Sequence, residues 1–106
     1  MASSQEIVDF ICEQIQDAGE IRSRKMFGEY AVYCNNKVIG LICQDSLYIK
    51  PTKAGRAYIG VPTEVPPYNG AKPYFLVEDQ VEDREWLSEL VRQTEQELPP
   101  PKKRTS

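Results

Sequence analysis

Tyr30, Lys37, Tyr48 and Lys50, in the middle of the chain, have the types and spacing of groups that hold a polyanion or an acidic surface. Lysine ammonium groups neutralise phosphates and tyrosine rings stack on bases, so a sheet that presents both serves as a contact face. Arg24, Lys25 and Lys72 lie close in the pattern. The candidate partner-binding set is therefore Arg24, Lys25, Tyr30, Lys37, Tyr48, Lys50 and Lys72. The blander reading is that strand lysines guard sheet edges while tyrosines pack beneath them.

Nothing else in the chain specifies a reaction. Glu82 with Glu85 and Asp79 with Asp83 are carboxylate pairs, but acid/base work needs such pairs in a cleft with separated pKa values. In the first turn of a helix they complement its dipole instead. There is no histidine, which removes Ser-His and Cys-His nucleophile pairs and the commonest metal ligand. Cys12, Cys34 and Cys43 have no metal-ligand spacing. A reactive thiol needs an activating cation, and Lys37 opposite Cys34 is the sole hint of one. Gly28 and Gly40 belong to no phosphate-binding motif; a bend or bulge suits the first, and close packing under a helix the second. Trp86, with Leu87 and Leu90, is either a partner anchor or part of a core stripe. The expectation is a non-enzymatic chain with no catalytic, cofactor-binding or metal-binding residues.

The net charge of −3 conceals segregation. Residues 1–21 hold five carboxylates and no Lys or Arg, and residues 22–75 hold eight cations against three carboxylates. Residues 76–98 hold eight carboxylates against two arginines. A basic middle between acidic flanks bears on partners rather than on fold. Apolar runs fall short of the ~20 residues that span a bilayer. The start Met1-Ala2-Ser3-Ser4 has no signal-like core. With unpaired cysteines, this places the chain in the cytoplasm, with no membrane role.

The elements that must position these residues follow from periodicity. Ser3 with Glu6 forms a capping box, and Ile7, Val8, Ile11, Ile15 and Ala18 make the apolar stripe of a first helix. Gly19 is expected to end it in the left-handed conformation. From Arg22 to Lys50 the period becomes two, giving three strands with two-residue turns at Asn35-Asn36 and Gln44-Asp45. That register pairs Cys34 with Lys37, Val32 with Ile39, Tyr30 with Leu41, Leu41 with Tyr48 and Ile39 with Lys50. It puts Ala31, Tyr33, Val38, Gly40, Ile42, Leu47 and Ile49 on the face covered by helices. Tyr30, Val32, Cys34, Lys37, Ile39, Leu41, Cys43, Ser46, Tyr48 and Lys50 fall on the open face.

Pro51 stops the third strand, and Thr52 to Tyr58 reads as a short helix weakened by Gly55. Residues 60–73, with Pro62, Pro66, Pro67 and Gly70, read as a long loop. Tyr74 to Val77 reads as a strand that Pro73 favours at a sheet edge. A last helix begins near Glu82 or Asp83 and carries Trp86, Leu87, Leu90, Val91 and Thr94 on one stripe. The fold class is α+β in two layers: an antiparallel sheet (a meander plus a later strand) with the N- and C-terminal helices packed on one face. Residues 1–98 make one domain, and 99–106 a disordered Pro-rich and basic tail that includes Lys102, Lys103 and Arg104.

The run Arg24-Lys25-Met26-Phe27-Gly28, followed by Tyr30, Tyr33, Gly40, Leu47-Tyr48-Ile49-Lys50 and Tyr68…Gly70…Lys72-Pro73, resembles the N-terminal domain of TfoX/Sxy-type competence regulators. The likeness runs from about Arg22 to Trp86. It implies an α+β fold with an antiparallel sheet and a role around bacterial transcription, beside a catabolite-activator-type protein. Glu29 stands where many relatives have glycine, and Asn35-Asn36 where Asp-Gly is frequent. The second, DNA-associated domain of those regulators is expected to be absent.

The expected function is that of a small regulatory or adaptor domain, contacting a protein partner of transcription-factor type. Direct nucleic-acid binding through the Tyr/Lys face is the alternative. A small-ligand or enzymatic domain with its pocket under the 60–73 loop, near Tyr68, is the third reading. The oligomeric state is not encoded in any feature of the chain.

Overall fold

The computed structural model describes residues 4–26 and 29–100. Its first helix, α1 (Gln5–Gln14), is capped by Ser4, whose Oγ accepts from the Ile7 N–H at 3.3 Å. Ser3, the expected cap, lies outside the described residues, as do Gly28 and the basic tail residues. Val8, Ile11 and Ile15 are fully buried, which fulfils the predicted stripe. The helix ends earlier than expected, at Gln14, and a 3-10 turn follows at Gln16–Ala18. Gly19 is extended (φ 160°) rather than left-handed. Its lack of a side chain serves a close approach instead. A Cβ there would sit 2.8 Å from both Asn35 Oδ1 and Cys34 Sγ. Across that contact Glu20 and Asn35 exchange hydrogen bonds: Glu20 N donates to Asn35 Oδ1, and Asn35 N to Glu20 O, both at 2.9 Å.

Among the described residues six strands form one antiparallel sheet: β1 (Ile21–Met26), β2 (Glu29–Cys34), β3 (Lys37–Cys43), β4 (Ser46–Ile49), β5 (Thr63–Val65) and β6 (Tyr74–Val77). Their spatial order is β1-β2-β3-β4-β6-β5. Both expected two-residue turns are present, with positive φ at Asn35, Asn36, Gln44 and Asp45, the backbone that matches strand twist in a tight hairpin. Residues 21–49 hold four strands rather than three, since Met26 pairs back on Glu29.

One residue changes the face assignment. Cys34 pairs with Lys37 and Tyr33 with Val38, as predicted or implied, but the register then shifts so that Val32 meets Gly40 and Tyr30 meets Ile42. Ile39 is the extra residue of a β-bulge. The slip turns all of β2 over. Tyr30, Val32 and Cys34 therefore join the helix-covered core, whereas Ala31 and Tyr33 point to the other side. Beyond the bulge the expectation holds: Ile42, Leu47 and Ile49 are in the core, and Leu41 pairs with Tyr48. Gly40 serves the close approach of β3 to β4 rather than a helix contact, because a Cβ there would lie 2.4 Å from Tyr48 O.

The second helix, α2 (Lys53–Ile59), starts at Thr52, whose Oγ1 accepts from Gly55 N at 2.9 Å. Gly55 costs helix propensity but permits packing: a Cβ would lie 2.7 Å from Thr52 Oγ1 and 3.3 Å from the Phe75 ring. Within the expected loop, Thr63–Val65 forms the edge strand β5, bracketed by Pro62 and Pro66. Consequently β6 is an interior strand and not an edge. Arg56 ties α2 to this edge by a forked ion pair with Glu64.

A 3-10 turn (Asp79–Glu82) leads into α3 (Arg84–Glu97), where Asp83 is the cap and accepts from Trp86 N at 3.1 Å. Leu87, Leu90 and Val91 enter the core with Phe75. The fold is thus α+β, with all helices on one face of the antiparallel sheet. Among the described residues, no helix is long and apolar enough to cross a membrane.

Candidate interaction face

The strand register defines the sheet face turned away from the helices. Arg24, Ala31, Leu41, Tyr48, Leu76 and Thr63 pair in sequence across all six strands, forming one transverse row. Its centre, Leu41, Tyr48 and Leu76, is half-buried, and Arg24 at one end is exposed. On the same face Arg22 lies over the Tyr33 ring at 5.4 Å and donates to Asn36 Oδ1 at 2.7 Å. An aromatic and aliphatic strip with arginines at one end can bury apolar area and still orient a charged partner.

Beside that row runs a second, where Met26 pairs with Glu29 and Cys43 with Ser46. The Cys43 thiol donates to the Glu29 carboxylate across the β2–β3 pair. Burial, then that bond and the carboxylate's charge, push the thiol from 9.0 up to about 12. Tyr68, half-exposed on the proline-rich loop, closes over this end. With Met26, Glu29, Tyr30, Ala31 and Leu41 it lines a hollow of about 300 Å³. Burial likewise raises the phenols of Tyr48 and Tyr74 above their ordinary value, with nearby Cys43 adding to both.

The seven expected contact residues do not converge. Arg24 and Tyr48 share the row, and Lys72 is exposed on the loop. Lys25 pairs with Tyr30 at the exposed end of β1. Tyr30 is 7% exposed on the helix side, its hydroxyl donating to Gln5 Oε1 at 3.1 Å. Lys37 also belongs to the helix side. Its Nζ donates to the carbonyls of Glu95 (2.8 Å) and Leu98 (3.0 Å) and pairs with Glu95 Oε2 at 3.0 Å. The expected sharing of one open face by Tyr30, Lys37, Tyr48 and Lys50 is overturned by the bulge. Lys50 lines a shallow groove at this end of the sheet together with Lys37, Asn36, Val38 and Leu98, apart from Tyr48 and Arg24.

The other sequence candidates have structural work. Trp86 is half-buried against Tyr58, ring centroids 5.5 Å apart, and its carbonyl accepts from the Tyr58 hydroxyl at 3.1 Å. Asp83 is a helix cap, while Asp79, Glu82 and Glu85 are exposed. Lys37 does not activate Cys34: burial, with Glu95 adding to it, raises that thiol despite the lysine. Cys12 is raised too, chiefly by burial. Among the described residues no group of three or more His, Cys, Asp or Glu side chains could hold a metal ion.

Leu41, Tyr74, Leu76 and the Arg22–Tyr33 stack were not singled out from the sequence as contact groups. Leu76 and Tyr74 lie on a strand whose interior place was hidden by the unseen β5.

Residues 13–98 match the TfoX N-terminal domain family. The chain is also 38% identical, over 104 residues, to an uncharacterised 12.7 kDa protein in the trpE 5′ region of Spirochaeta aurantia, covering 98% of this chain and 90% of that protein. By this match over most of its length, the chain belongs to the TfoX N-terminal domain family.

Proposed function

We propose that this is a non-enzymatic regulatory adaptor that contacts a transcription-linked protein through the helix-free face of its sheet. The observation that supports this is the transverse row Arg24–Ala31–Leu41–Tyr48–Leu76–Thr63. A partly exposed apolar centre with a charged end has the anatomy of a protein contact. Family membership supports a regulatory role in the same direction. The nucleic-acid reading loses two of its groups, because Tyr30 and Lys37 serve the helix layer.

Transcript profiling of a strain lacking the chain tests the reading. The expected result is altered expression of a defined gene set, restored by the wild-type chain but not by Arg24→Glu with Tyr48→Ala at equal abundance. An unchanged profile would count against a regulatory role. Restoration by the double variant would count against this face.

A further inference from the structure

The helix layer carries a second surface of opposite chemistry. Between α1 and the Asp79–Glu82 turn lies a groove of about 480 Å³ with an apolar floor that includes Ile7, Phe10, Leu47, Val77 and Val81. Phe10 is 41% exposed, a large apolar group left in water on a helix whose other exposed residues are Gln5, Glu6, Asp9 and Glu13. Glu6 and Glu13, four residues before it and three after, flank it on the helix surface. Glu78 and Glu82, both exposed, stand on the opposite rim, and no Lys or Arg lines the groove.

We propose that this groove docks a basic amphipathic segment of a partner protein, its apolar side chains on Phe10 and Val81 and its cations against Glu78 and Glu82. This shares with the proposed function the premise of protein contact, but not the sheet face. Charge complementarity selects the occupant. A second copy meeting groove to groove would bring carboxylates against carboxylates, and nucleic acid or an anionic lipid surface would be repelled. The chain's own tail, Pro99 to Ser106, has cations but no large apolar anchor. A helix laid in such a groove uses anchors at three- and four-residue steps, and an adaptor with two unlike faces can hold two unlike partners.

The test is fluorescence anisotropy with the intact chain and a short fluorescein-labelled helical peptide of Leu and Lys in amphipathic order. Two control peptides replace Lys by Glu, or Leu by Ser. The Leu/Lys peptide is expected to bind, both controls to bind far more weakly, and Phe10→Ser to weaken binding at least about tenfold. Glu78→Gln with Glu82→Gln is expected to weaken binding and flatten its salt dependence. Val61→Ser, remote and 92% exposed, is expected to change nothing. Backbone amide shifts must map to α1 and the Asp79–Glu82 turn, which also shows that each variant is folded.

No binding of the Leu/Lys peptide, equal binding of the Leu/Glu peptide, or indifference to Phe10→Ser would each overturn the proposal. So would concentration-dependent self-association that buries Phe10. Tyr48→Ala is expected to leave peptide binding intact, so failure of the sheet-face reading and failure of this one are separable.

Discussion

The Lys37 ammonium sits 3.0 Å from the Glu95 carboxylate and also donates to the Glu95 backbone carbonyl at 2.8 Å. A strand lysine thus satisfies the unpaired carbonyls at the C-terminal end of α3, where the helix dipole favours a cation. Lys37 locks the last turn of α3 to β3. Lys37→Met is therefore expected to lower stability by about 1–3 kcal/mol, read as a shifted urea midpoint with an unchanged slope. Partner capture by the folded fraction should not change.

The opposite arrangement joins α3 to α2. Glu97 accepts from the N–H groups of Lys53 and Ala54, both at 2.8 Å, and these bonds hold its carboxyl below the usual range. A lowered folded pKa gives stability that is present above the unfolded value. It is lost as pH falls through the folded one. Acid unfolding curves should show Glu97→Gln less stable than wild type at neutral pH, with the difference closing in the acid range below the ordinary carboxylate pKa. A constant difference across that range would show that the charge is not responsible.

Cys43 has the reverse sign. Its folded pKa is raised to about 12, so the thiol's contribution is complete below the ordinary value of 9.0 and is lost as pH rises towards 12. Alkylation by iodoacetamide at mild alkaline pH should leave Cys43 largely unmodified in the native chain. Glu29→Gln should accelerate its modification, because the bond and the negative charge that oppose the thiolate are removed. Mass spectrometry of the labelled peptides resolves the three cysteines.

Much of this fold was legible from spacing. Asn35-Asn36 and Gln44-Asp45 sat between alternating runs, and each forms the tight turn that its position suggested. The stripes of α1 and α3 were equally plain, because helical periodicity is a local signal. The bulge was not, since Val38-Ile39-Gly40-Leu41 reads as ordinary alternation and only the glycine hints at irregular pairing. From that one residue followed the misplacement of Tyr30 and Lys37. The strand Thr63–Val65 was concealed by its three-residue length between prolines. The role of Lys37 depends on carbonyls 58 and 61 residues away, which no local pattern carries.

Gly40, next to the bulge, gives a direct probe of the β3–β4 approach. With Tyr48 O placed 2.4 Å from any added Cβ, Gly40→Ala must part β3 from β4. The expected cost is about 1–3 kcal/mol, the range for overpacking a close contact. Amide hydrogen exchange should rise first at Ile39 to Leu41 and at Tyr48 to Lys50. Wild-type protection at these sites would show that the β3–β4 pair accommodates the methyl group.

The helix-free sheet face is the proposed contact surface, and site-specific photo-crosslinking in the living cell tests it most directly. A photoreactive residue in place of Tyr48 is expected to capture one discrete protein partner, lost when Arg24→Glu is added. The same group in place of Val61, 92% exposed in the link between α2 and β5, is expected to capture none. Capture from position 61 with none from position 48 would show that the partner does not use the helix-free face.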